Sequence, residues 1–336
     1  MSTKAKDVAD RVADGEQIDP VADAEPINEL AKRKAAETPR VLTVKQLLDA
    51  SRDRAFSPVP TNICTTGHRK LDEITGGFRP GEVWVFGADT SWGKSSWLVM
   101  VADENIKAGK KVLIVSAEDD ESIYGDRLMA RRTRVSASRL RQRTLSDDEK
   151  IKVDEAAKNG EPLPVYMDAR GRHAEWVAKA VEAKVREHAI DFVGFDYLQE
   201  FRLKKRTQDR RNEVSEVASL LRMTIKKLGI TGVIFSQITV LDPSKAPTKH
   251  SIKESRDVTN GAEIVVLGIY PTADVGEGDD KLIKGERYLL ADKVKTGPSR
   301  KMVHMKWNDF SACFNTVEDP DKSRNDGFDN ELDRGV

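Results

Sequence analysis

A short loop between an apolar run and a helical pattern carries the residue types best suited to chemistry. Its lysine and serine, Lys94 and Ser95, directly follow Gly93. Backbone amides at such a helix start can hold phosphates, the lysine can reach the β and γ phosphates, and the serine can hold Mg²⁺. We favour this Walker A interpretation over a glycine turn without a ligand, although Ala88 replaces the usual first glycine. The residues predicted to bind ATP and Mg²⁺ here are Ala88, Asp89, Thr90, Ser91, Trp92, Gly93, Lys94, Ser95 and Ser96.

An aspartate ends a second apolar run, DFVGFDYL at 191–198. Asp196 is placed as the Walker B acid, which would hold the Mg²⁺ shell through water. Tyr197 stands where many ATPases have a catalytic glutamate beside this aspartate. The sequence therefore predicts that the catalytic base lies elsewhere in the chain.

An acidic cluster after the strand-like run KVLIVSAE at 111–118 can supply that base. Glu118 ends the strand that follows the phosphate-binding helix, and loops at the carboxyl ends of parallel strands converge on ligand. A carboxylate there can orient and deprotonate an attacking water. We favour Glu118 over its neighbours, which are interpreted as a solvated acidic turn: Asp119, Asp120 and Glu121.

Apolar runs of strand length recur along the chain and would position these candidate residues. They lie at 82–88, 111–118, 164–169, 191–198, 231–238, 263–270, 287–295 and 301–308. Apolar residues at helical spacing separate the earlier runs, as in Val214, Val217, Leu221 and Leu228. Alternating strands and helices predict an α/β fold with a mostly parallel, doubly wound sheet. The closely spaced late runs predict antiparallel edge strands.

Composition changes along the chain predict four segments. They are a disordered arm at 1–40, a linker at 41–62, an ordered domain at 63–317 and an acidic, flexible tail at 318–336. The arm contains no aromatic residue and few large apolar residues, so it has little surface to bury. Within the linker, Thr43 and Gln46 form a capping-box pattern that opens a short amphipathic helix at 43–54. The apolar stripe of this helix has no partner in its own polar surroundings.

Charge and cysteine content exclude some classes of protein. Lysine plus arginine equal aspartate plus glutamate at 56 each, so there is no global basic field and any nucleic-acid contact needs local clusters. Cys64 and Cys313 lack metal-ligand spacing, which argues against a zinc site and indicates a reducing compartment. No run approaches the roughly 18 apolar residues of a membrane span, and no signal core is present. We expect a soluble, cytoplasmic protein without a membrane partner.

Six sequence blocks, in order and at plausible spacing, resemble the motifs of the ATPase domain of DnaB-type replicative helicases. They are TTGHRKLDEITGGFRPGEVWVFGADTSWGKSS, VLIVSAEDD, FVGFDYLQEF, GVIFSQI, SIKESRDVTNGAEIVV and LLADKVKTGP, and they cover about 65–315. The resemblance implies a RecA-like P-loop NTPase core and a homohexameric ring around single-stranded DNA, with ATP at each subunit interface. It also implies 5′-to-3′ translocation and unwinding of duplex DNA during replication.

Site residues carry over from this resemblance one by one. Lys94 and Ser95 would bind nucleotide and Mg²⁺, Glu118 would be the base and Asp196 the Walker B acid. Gln237, in the block GVIFSQI, matches the polar sensor that couples the γ-phosphate to the DNA loops.

Departures from the family pattern refine the prediction. The N-terminal collar domain through which these helicases contact primase is expected to be absent. The linker-like helix at 43–54, which in the family docks on the neighbouring subunit, is retained, so the resemblance implies the same docking role here. The family's trans-acting Lys-x-Arg reads Lys293-Val-Lys295 here, closer to the Lys-x-Lys of RecA recombinases. The resemblance therefore implies a stand-alone ring helicase of phage or plasmid type, acting in a bacterium, with a primase, a loader or other replication proteins as candidate partners.

Two basic stretches follow predicted strands at the sheet edge that carries the nucleotide. FRLKKRTQDRR comes after Asp196, and LDPSKAPTKHSIKESR comes after Gln237. Their candidate DNA-binding residues are Arg202, Lys204, Lys205, Arg206, Arg210, Arg211, Lys245, Lys249 and Lys253. A single charge run is usually a solvated face, but two runs beside the sensor favour tracking of a DNA backbone. Neither stretch offers an aromatic stacking platform, which predicts contact without base readout.

Three functional hypotheses follow from the sequence. The first is an ATP-driven helicase or translocase. The second is a recombinase-like or regulatory RecA-fold ATPase that binds single-stranded DNA without unwinding duplex, and Lys293 and Lys295 support it. The third, a non-catalytic adaptor for nucleic acid, is weakened because the chain keeps Lys94, Glu118 and Asp196.

Overall fold

A computed structural model of the protein describes residues 41–205, 209–238, 247–252, 256–275 and 281–315. The chain divides into two units, Met1–Pro60 and Thr61–Val336. In the first unit the described residues form helix α1, Val44–Phe56, which starts at the predicted capping box and buries none of its residues. The predicted arm and tail lie outside the described residues.

The second unit is built on a central sheet of eight strands. They are β1 Val83–Ala88, β2 Val112–Ser116, β3 Tyr166–Asp168, β4 Phe192–Asp196, β5 Thr231–Gln237, β6 Ile264–Ile269, β7 Arg287–Val294 and β8 Lys301–Met305. Their order in the sheet is β3-β2-β4-β5-β1-β6-β7-β8. The first six strands pair in parallel, and β7 and β8 extend the sheet antiparallel. The predicted α/β fold with an antiparallel edge is confirmed.

Helices cover both faces of this sheet. They are α2 Arg69–Thr75, α3 Lys94–Lys107, α4 Glu121–Thr133, α5 Ala137–Gln142, α6 Asp147–Lys158, α7 Ala174–His188, α8 Arg210–Leu228 and α9 Arg256–Asn260. A small hairpin of β9, Trp307–Asn308, and β10, Cys313–Phe314, follows the main sheet. α7 and α8 contribute to one apolar core, and α3 contributes to the core on the other face. Among the described helices, none is long and apolar enough to cross a lipid bilayer.

The central strands explain why their sequences are continuous apolar runs. Every residue of β1 and of β4 is buried. A strand covered by helices on both faces has no solvent side, so apolar residues do not alternate with polar ones. Helices α7 and α8 instead place apolar residues at helical spacing toward the sheet, as Val177, Val181, Val214 and Val217 show.

The connection between β2 and β3 contains three helices that the apolar pattern did not predict. α5 and α6 bury no residue, so they carry little apolar periodicity. α4 is held by charges: Arg131, 3% exposed, lies 3.0 Å from the fully buried Asp103 of α3, and Arg132 lies 2.8 Å from the same carboxylate. Buried charges are stable only when paired, so these ion pairs add to the apolar packing of Tyr124 and Ala130 on the same helix.

Candidate active site

The predicted phosphate-binding loop closes over the carboxyl end of β1. Thr90–Trp92 forms a 3₁₀ turn capped by the Asp89 carboxylate, and Gly93 then begins α3 in the left-handed region at φ 97°. A Cβ on Gly93 would lie 3.3 Å from the Trp307 ring, so conformation and space both require glycine. The first amides of α3 have no acceptor inside the helix and can therefore hold phosphate oxygens.

Trp92 anchors this loop to the rest of the domain. Its side chain is fully buried, and its indole Nε1 donates to the Tyr288 carbonyl at 3.2 Å. Arg287 Nε donates to the Trp92 carbonyl at 3.0 Å, and the Arg287 guanidinium lies 4.0 Å from the centre of the Trp307 ring. Because its side chain belongs to the core, Trp92 can offer a ligand only its backbone.

Lys94 is held at the base of the cleft. Its Nζ donates to the carbonyls of Ala88 and Asp89 at 3.2 and 3.3 Å. Burial lowers the pKa of the Lys94 ammonium, and the nearby carboxylates oppose this change. The structure brings Lys94 together with six other predicted site residues that line the same cleft: Thr90, Gly93, Ser95, Ser96, Glu118 and Gln237.

Asp196 lies buried at the end of β4, and its two carboxylate oxygens differ. Oδ2 accepts a hydrogen bond from the Tyr124 hydroxyl at 2.5 Å. Oδ1 is buried and has no hydrogen-bond partner in the described part of the chain. A buried carboxylate oxygen without a donor is costly. Sequence analysis missed Tyr124 because its partner lies 72 residues away and no local pattern marks the pair.

These oxygens fit a magnesium ion. Mg²⁺ prefers oxygen ligands, keeps several of its waters and usually binds through one or two protein groups plus substrate phosphates. Ser95 lies in the cleft, and the buried Oδ1 of Asp196, which has no hydrogen-bond donor among the described residues, leaves one acceptor for a metal-bound water. No group of three or more His, Cys, Asp or Glu side chains among the described residues could hold a metal ion without a substrate.

The acidic turn after β2 separates Glu118 from its neighbours. Asp119 pairs with Arg127 at 2.7 Å, Asp120 caps α4, and Glu121 begins that helix. Glu118 and Asp119 both line the cleft, but Glu118, unlike Asp119, forms no ion pair with any described residue. Burial, helped by nearby carboxylates, raises the pKa of Glu118. A raised pKa suits a carboxylate that must accept a proton, so the geometry supports Glu118 over Asp119.

Gln237 ends β5 at the cleft, and a second glutamine connects it to β4. The backbone amide of Gln237 donates to Gln199 Oε1 at 3.2 Å, and the side-chain Nε2 of Gln199 donates to Ser236 Oγ at 2.8 Å. Gln199 is buried in the turn after β4. It therefore joins the two strand ends from which the basic stretches leave, a role that the sequence alone did not indicate.

The basic stretch after β4 contains two kinds of cation. Arg202 donates to the Phe201 carbonyl at 3.1 Å, and Arg210 pairs with Glu213 at 2.5 Å, so both help to fold the loop. Arg202 is nevertheless exposed, as are Lys204, Lys205 and Arg211, whereas Arg210 is half-buried. Lys249, in the second stretch, is half-buried and its amide donates to Asp292 at 3.0 Å. The predicted DNA-binding residues Arg206, Lys245 and Lys253 lie outside the described residues.

Lys293 and Lys295 differ in what holds them. The Lys293 ammonium donates to three carbonyls around the end of α9, those of Thr259, Asn260 and Ala262. Lys295 lies just beyond β7, its side chain is 66% exposed, and its Nζ lies 3.8 Å from Glu263. Lys295 is therefore the more available of the two to a neighbouring molecule.

Residues 64–316 match the DnaB-like helicase C-terminal domain family. The replicative DNA helicase DnaB of Leifsonia xyli subsp. xyli is 25% identical over 254 residues, covering 74% of this chain and 54% of that helicase. DnaB of Haemophilus influenzae is 25% identical over 271 residues, covering 78% of this chain and 57% of its own length. The chain thus spans about half the length of the curated relatives that it matches.

Two solved structures share the fold. A DnaB-like replicative helicase, described with its interactions with primase, superposes with a TM-score of 0.72 at 18% identity and covers 92% of this chain and 75% of that one. A second structure, that of an ATPase domain, gives a TM-score of 0.72 at 18% identity and covers 83% of this chain and 100% of that domain. At such low identity these matches establish the fold alone.

Proposed function

This chain belongs to the DnaB-like helicase C-terminal domain family, and on that premise we propose that it is an ATP-dependent DNA helicase. It hydrolyses ATP with Mg²⁺, moves 5′ to 3′ along single-stranded DNA and unwinds duplex DNA during replication. The observation that carries this proposal is the convergence of Lys94, Ser95, Glu118 and Gln237 on one cleft, beside the buried Asp196. These are the side chains that phosphoryl transfer to water needs.

In the proposed mechanism, the amides at the start of α3 and the Lys94 ammonium bind the phosphate tail of ATP. Ser95 and, through water, Asp196 would hold a magnesium ion, which would neutralise phosphate charge. Glu118 orients the attacking water and takes its proton, since its raised pKa strengthens it as a base. The Tyr124 hydroxyl donates to Asp196 Oδ2 and so fixes the orientation of this carboxylate.

DNA would bind along the basic stretches that follow β4 and β5. Gln237 lines the cleft, and its backbone amide donates to Gln199 Oε1. Gln199 belongs to the turn that leads into Lys204 and Lys205. A change in the position of the γ-phosphate can therefore reach the DNA loops through two glutamines. This path is the proposed coupling between hydrolysis and movement.

The active form is proposed to be a homohexameric ring with a nucleotide at each interface. Lys295, exposed beyond the end of β7, would reach the γ-phosphate bound by the neighbouring subunit. Helix α1 presents the exposed apolar side chains of Val44, Leu47 and Leu48, which suits docking on another subunit. A primase and a loader are the proposed partners, and the cytoplasm of a bacterium, or of a phage-infected bacterium, is the proposed location.

Strand displacement tests this function. Wild-type protein with ATP and Mg²⁺ should separate a forked duplex that has a 5′ single-stranded tail and should be much slower on one with only a 3′ tail. Glu118→Gln should bind the fork without separating it. If DNA stimulates ATP hydrolysis but neither forked substrate is separated, the proposal that this protein is a helicase is wrong.

That second outcome corresponds to the alternative function, a RecA-like ATPase that binds single-stranded DNA without unwinding. The lysine at position 295, in place of the arginine of the helicase pattern, favours it. Electron microscopy with an ATP analogue and single-stranded DNA separates the two, because the helicase should form closed rings and the alternative should form filaments.

A further inference from the structure

Trp176 is unusual among the tryptophans of this protein. The side chains of Trp84, Trp92 and Trp97 are buried in the core, whereas Trp176 is 45% exposed on the first turn of α7. The same helix buries Val177 on its sheet-facing side. A large aromatic ring on the solvent side contributes little to packing, and tryptophan is enriched at interfaces.

Arg172 lies against this ring. Its guanidinium carbon is 5.0 Å from the centre of the Trp176 indole, and Arg172 is itself exposed. A planar guanidinium over an indole fixes the orientation of both groups. The ring is therefore held in place while much of its surface remains open to solvent.

The start of α7 and the basic loop after β4 form one continuous surface. His173 pairs with Arg202 in a parallel bridge, and the Ala174 amide donates to the Arg202 carbonyl at 2.8 Å. The Lys204 amide donates to the Glu175 carboxylate at 3.1 Å. These bonds place Trp176 beside the stretch already proposed to follow a DNA backbone.

Charge on this surface favours a polyanion. Arg172, Lys204 and Lys205 are exposed, and no carboxylate in the described part of the chain lies within ion-pair distance of their side chains. Two carboxylates also lie on this surface: Asp168 pairs with Arg170 at 2.7 Å, and Glu175 accepts from the Lys204 backbone amide and keeps its charge, so the three cations outnumber the one uncompensated acid. Aromatic rings flanked by cations bind single strands, because each base offers a face for stacking and each nucleotide a phosphate.

We infer that Trp176 is a stacking platform for an unpaired base of single-stranded DNA, with Arg172, Lys204 and Lys205 on the adjoining phosphates. The inference rests on the proposed function and extends it from backbone contact to base contact. It requires a single strand, since a base inside a duplex has no free face. The contact is independent of sequence because every base can stack.

Fluorescence anisotropy with labelled oligo-dT tests this platform across a range of salt concentrations. Trp176→Ala should weaken binding by roughly tenfold, the loss expected for one stacked base, and leave the slope of log affinity against log salt unchanged. Trp176→Phe should restore most of the affinity. Phe310→Ala, which removes another exposed aromatic ring in the β9–β10 turn, is the matched control and should bind like wild type.

Tryptophan emission gives a second readout. Oligo-dT should quench wild-type fluorescence, and Trp176→Phe should lose most of that quenching while still binding the oligonucleotide. If both DNA affinity and quenching are unchanged in these variants, the inference about Trp176 is wrong, while the proposed function of the protein is not affected. Sedimentation showing that Trp176→Ala loses assembly, with no change in DNA affinity per subunit, would assign the ring to a subunit contact and also overturn it. A wild-type protein that binds no single-stranded DNA would overturn the proposed function as well.

Discussion

The nucleotide cleft and the basic loop beside it are built in opposite ways. In the cleft, Lys94 and Asp196 are buried and each is fixed by hydrogen bonds from or to its own chain. On the loop, Lys204 and Lys205 are exposed to solvent. A side chain that acts on a breaking phosphate bond must have a fixed position in a region of low dielectric constant. A side chain that contacts the phosphates of a DNA strand as it moves must instead be long and free to change its conformation. Substitutions in the cleft should therefore have large effects, and those on the loop smaller effects that depend on salt.

The largest effect is expected from Lys94→Ala. Removing the ammonium that binds the transferring phosphate should lower ATP turnover by about 100-fold or more. Lys158→Ala, which removes a surface lysine paired with Asp154, is the control and should retain wild-type turnover. Steady-state hydrolysis measures both variants. Turnover of Lys94→Ala within a few-fold of wild type would contradict the assignment of the phosphate-binding loop.

Glu118→Gln should stop hydrolysis and preserve binding, because the amide keeps its size but cannot accept a proton. We expect turnover to fall by about 100- to 10,000-fold, with nucleotide and DNA affinity little changed. Asp119→Asn is the comparison, since Asp119 is paired with Arg127 and should matter less for chemistry. Single-turnover hydrolysis and filter binding measure these effects. The reverse pattern would move the base to Asp119.

Lys295→Ala is expected to have an intermediate effect, of roughly 10- to 100-fold on DNA-stimulated turnover. An arginine finger contributes more, because lysine is a point charge without a rigid fork. Lys295→Arg should keep or raise activity. Mixing Lys295→Ala with Lys94→Ala subunits should restore some turnover, since some interfaces then combine an intact loop with an intact lysine. Mixed rings that stay inactive would show that Lys295 does not act across the interface.

Tyr124→Phe should disturb magnesium binding without removing any metal ligand. Without its hydroxyl, the Asp196 carboxylate is free to rotate, and Oδ1 no longer has a fixed direction. We expect the Mg²⁺ concentration that half-saturates binding of a fluorescent ATP analogue to rise about threefold to tenfold, a change of the size expected for the net contribution of one ordinary hydrogen bond.

Tyr166→Phe is the matched control for this variant. The two rings lie 5.4 Å apart, but the Tyr166 hydroxyl donates to the Asp119 carbonyl, which also accepts from Ser116 Oγ at 2.6 Å. Removing that hydroxyl should therefore leave the Mg²⁺ dependence unchanged. Equal shifts in both variants would indicate a general loosening of this region and would reject a specific role for Tyr124.

The smallest effect at moderate salt is expected from Lys204→Ala and Lys205→Ala together. For each phosphate of single-stranded DNA that a lysine no longer neutralises, the slope of log affinity against log salt should become shallower by about 0.7. The weakening should be the same for different base sequences, and ATP turnover without DNA should not change. If the slope of log affinity against log salt equals that of wild type, these lysines do not contact DNA phosphates and belong to an ordinary solvated surface.

Much of the fold could be predicted from the sequence because its signals are local. Each of the eight apolar runs became a strand, with bounds that moved by one to two residues in most cases. The capping box at Thr43 and the glycine before Lys94 are also local patterns, and both were found where predicted. Helices α4 to α6 were not predicted, because α5 and α6 bury no residue and α4 depends partly on ion pairs such as Arg131 with Asp103, which leave no apolar period.

The candidate site likewise contains residues that the sequence identified and residues that only the structure could distinguish. Lys94, Ser95, Glu118 and Gln237 could be named from motifs, since each stands at a strand end or helix start that the sequence itself marks. The difference between Lys293 and Lys295 could not, because side chains two apart in a strand have the same sequence signal. Only the end of α9, packed beside Lys293, distinguishes them.

The sequence by itself determined the order of the strands along the chain, the phosphate-binding loop and the residue types available for chemistry. The tertiary structure alone decided which partners fix them: Tyr124 on Asp196, Arg287 on Trp92, and the α7 turn with Trp176 beside the basic loop. The physical reason is the sequence separation over which each kind of interaction acts. Periodicity and capping act within a few residues, whereas these hydrogen bonds join segments that come together only when the sheet orders its strands.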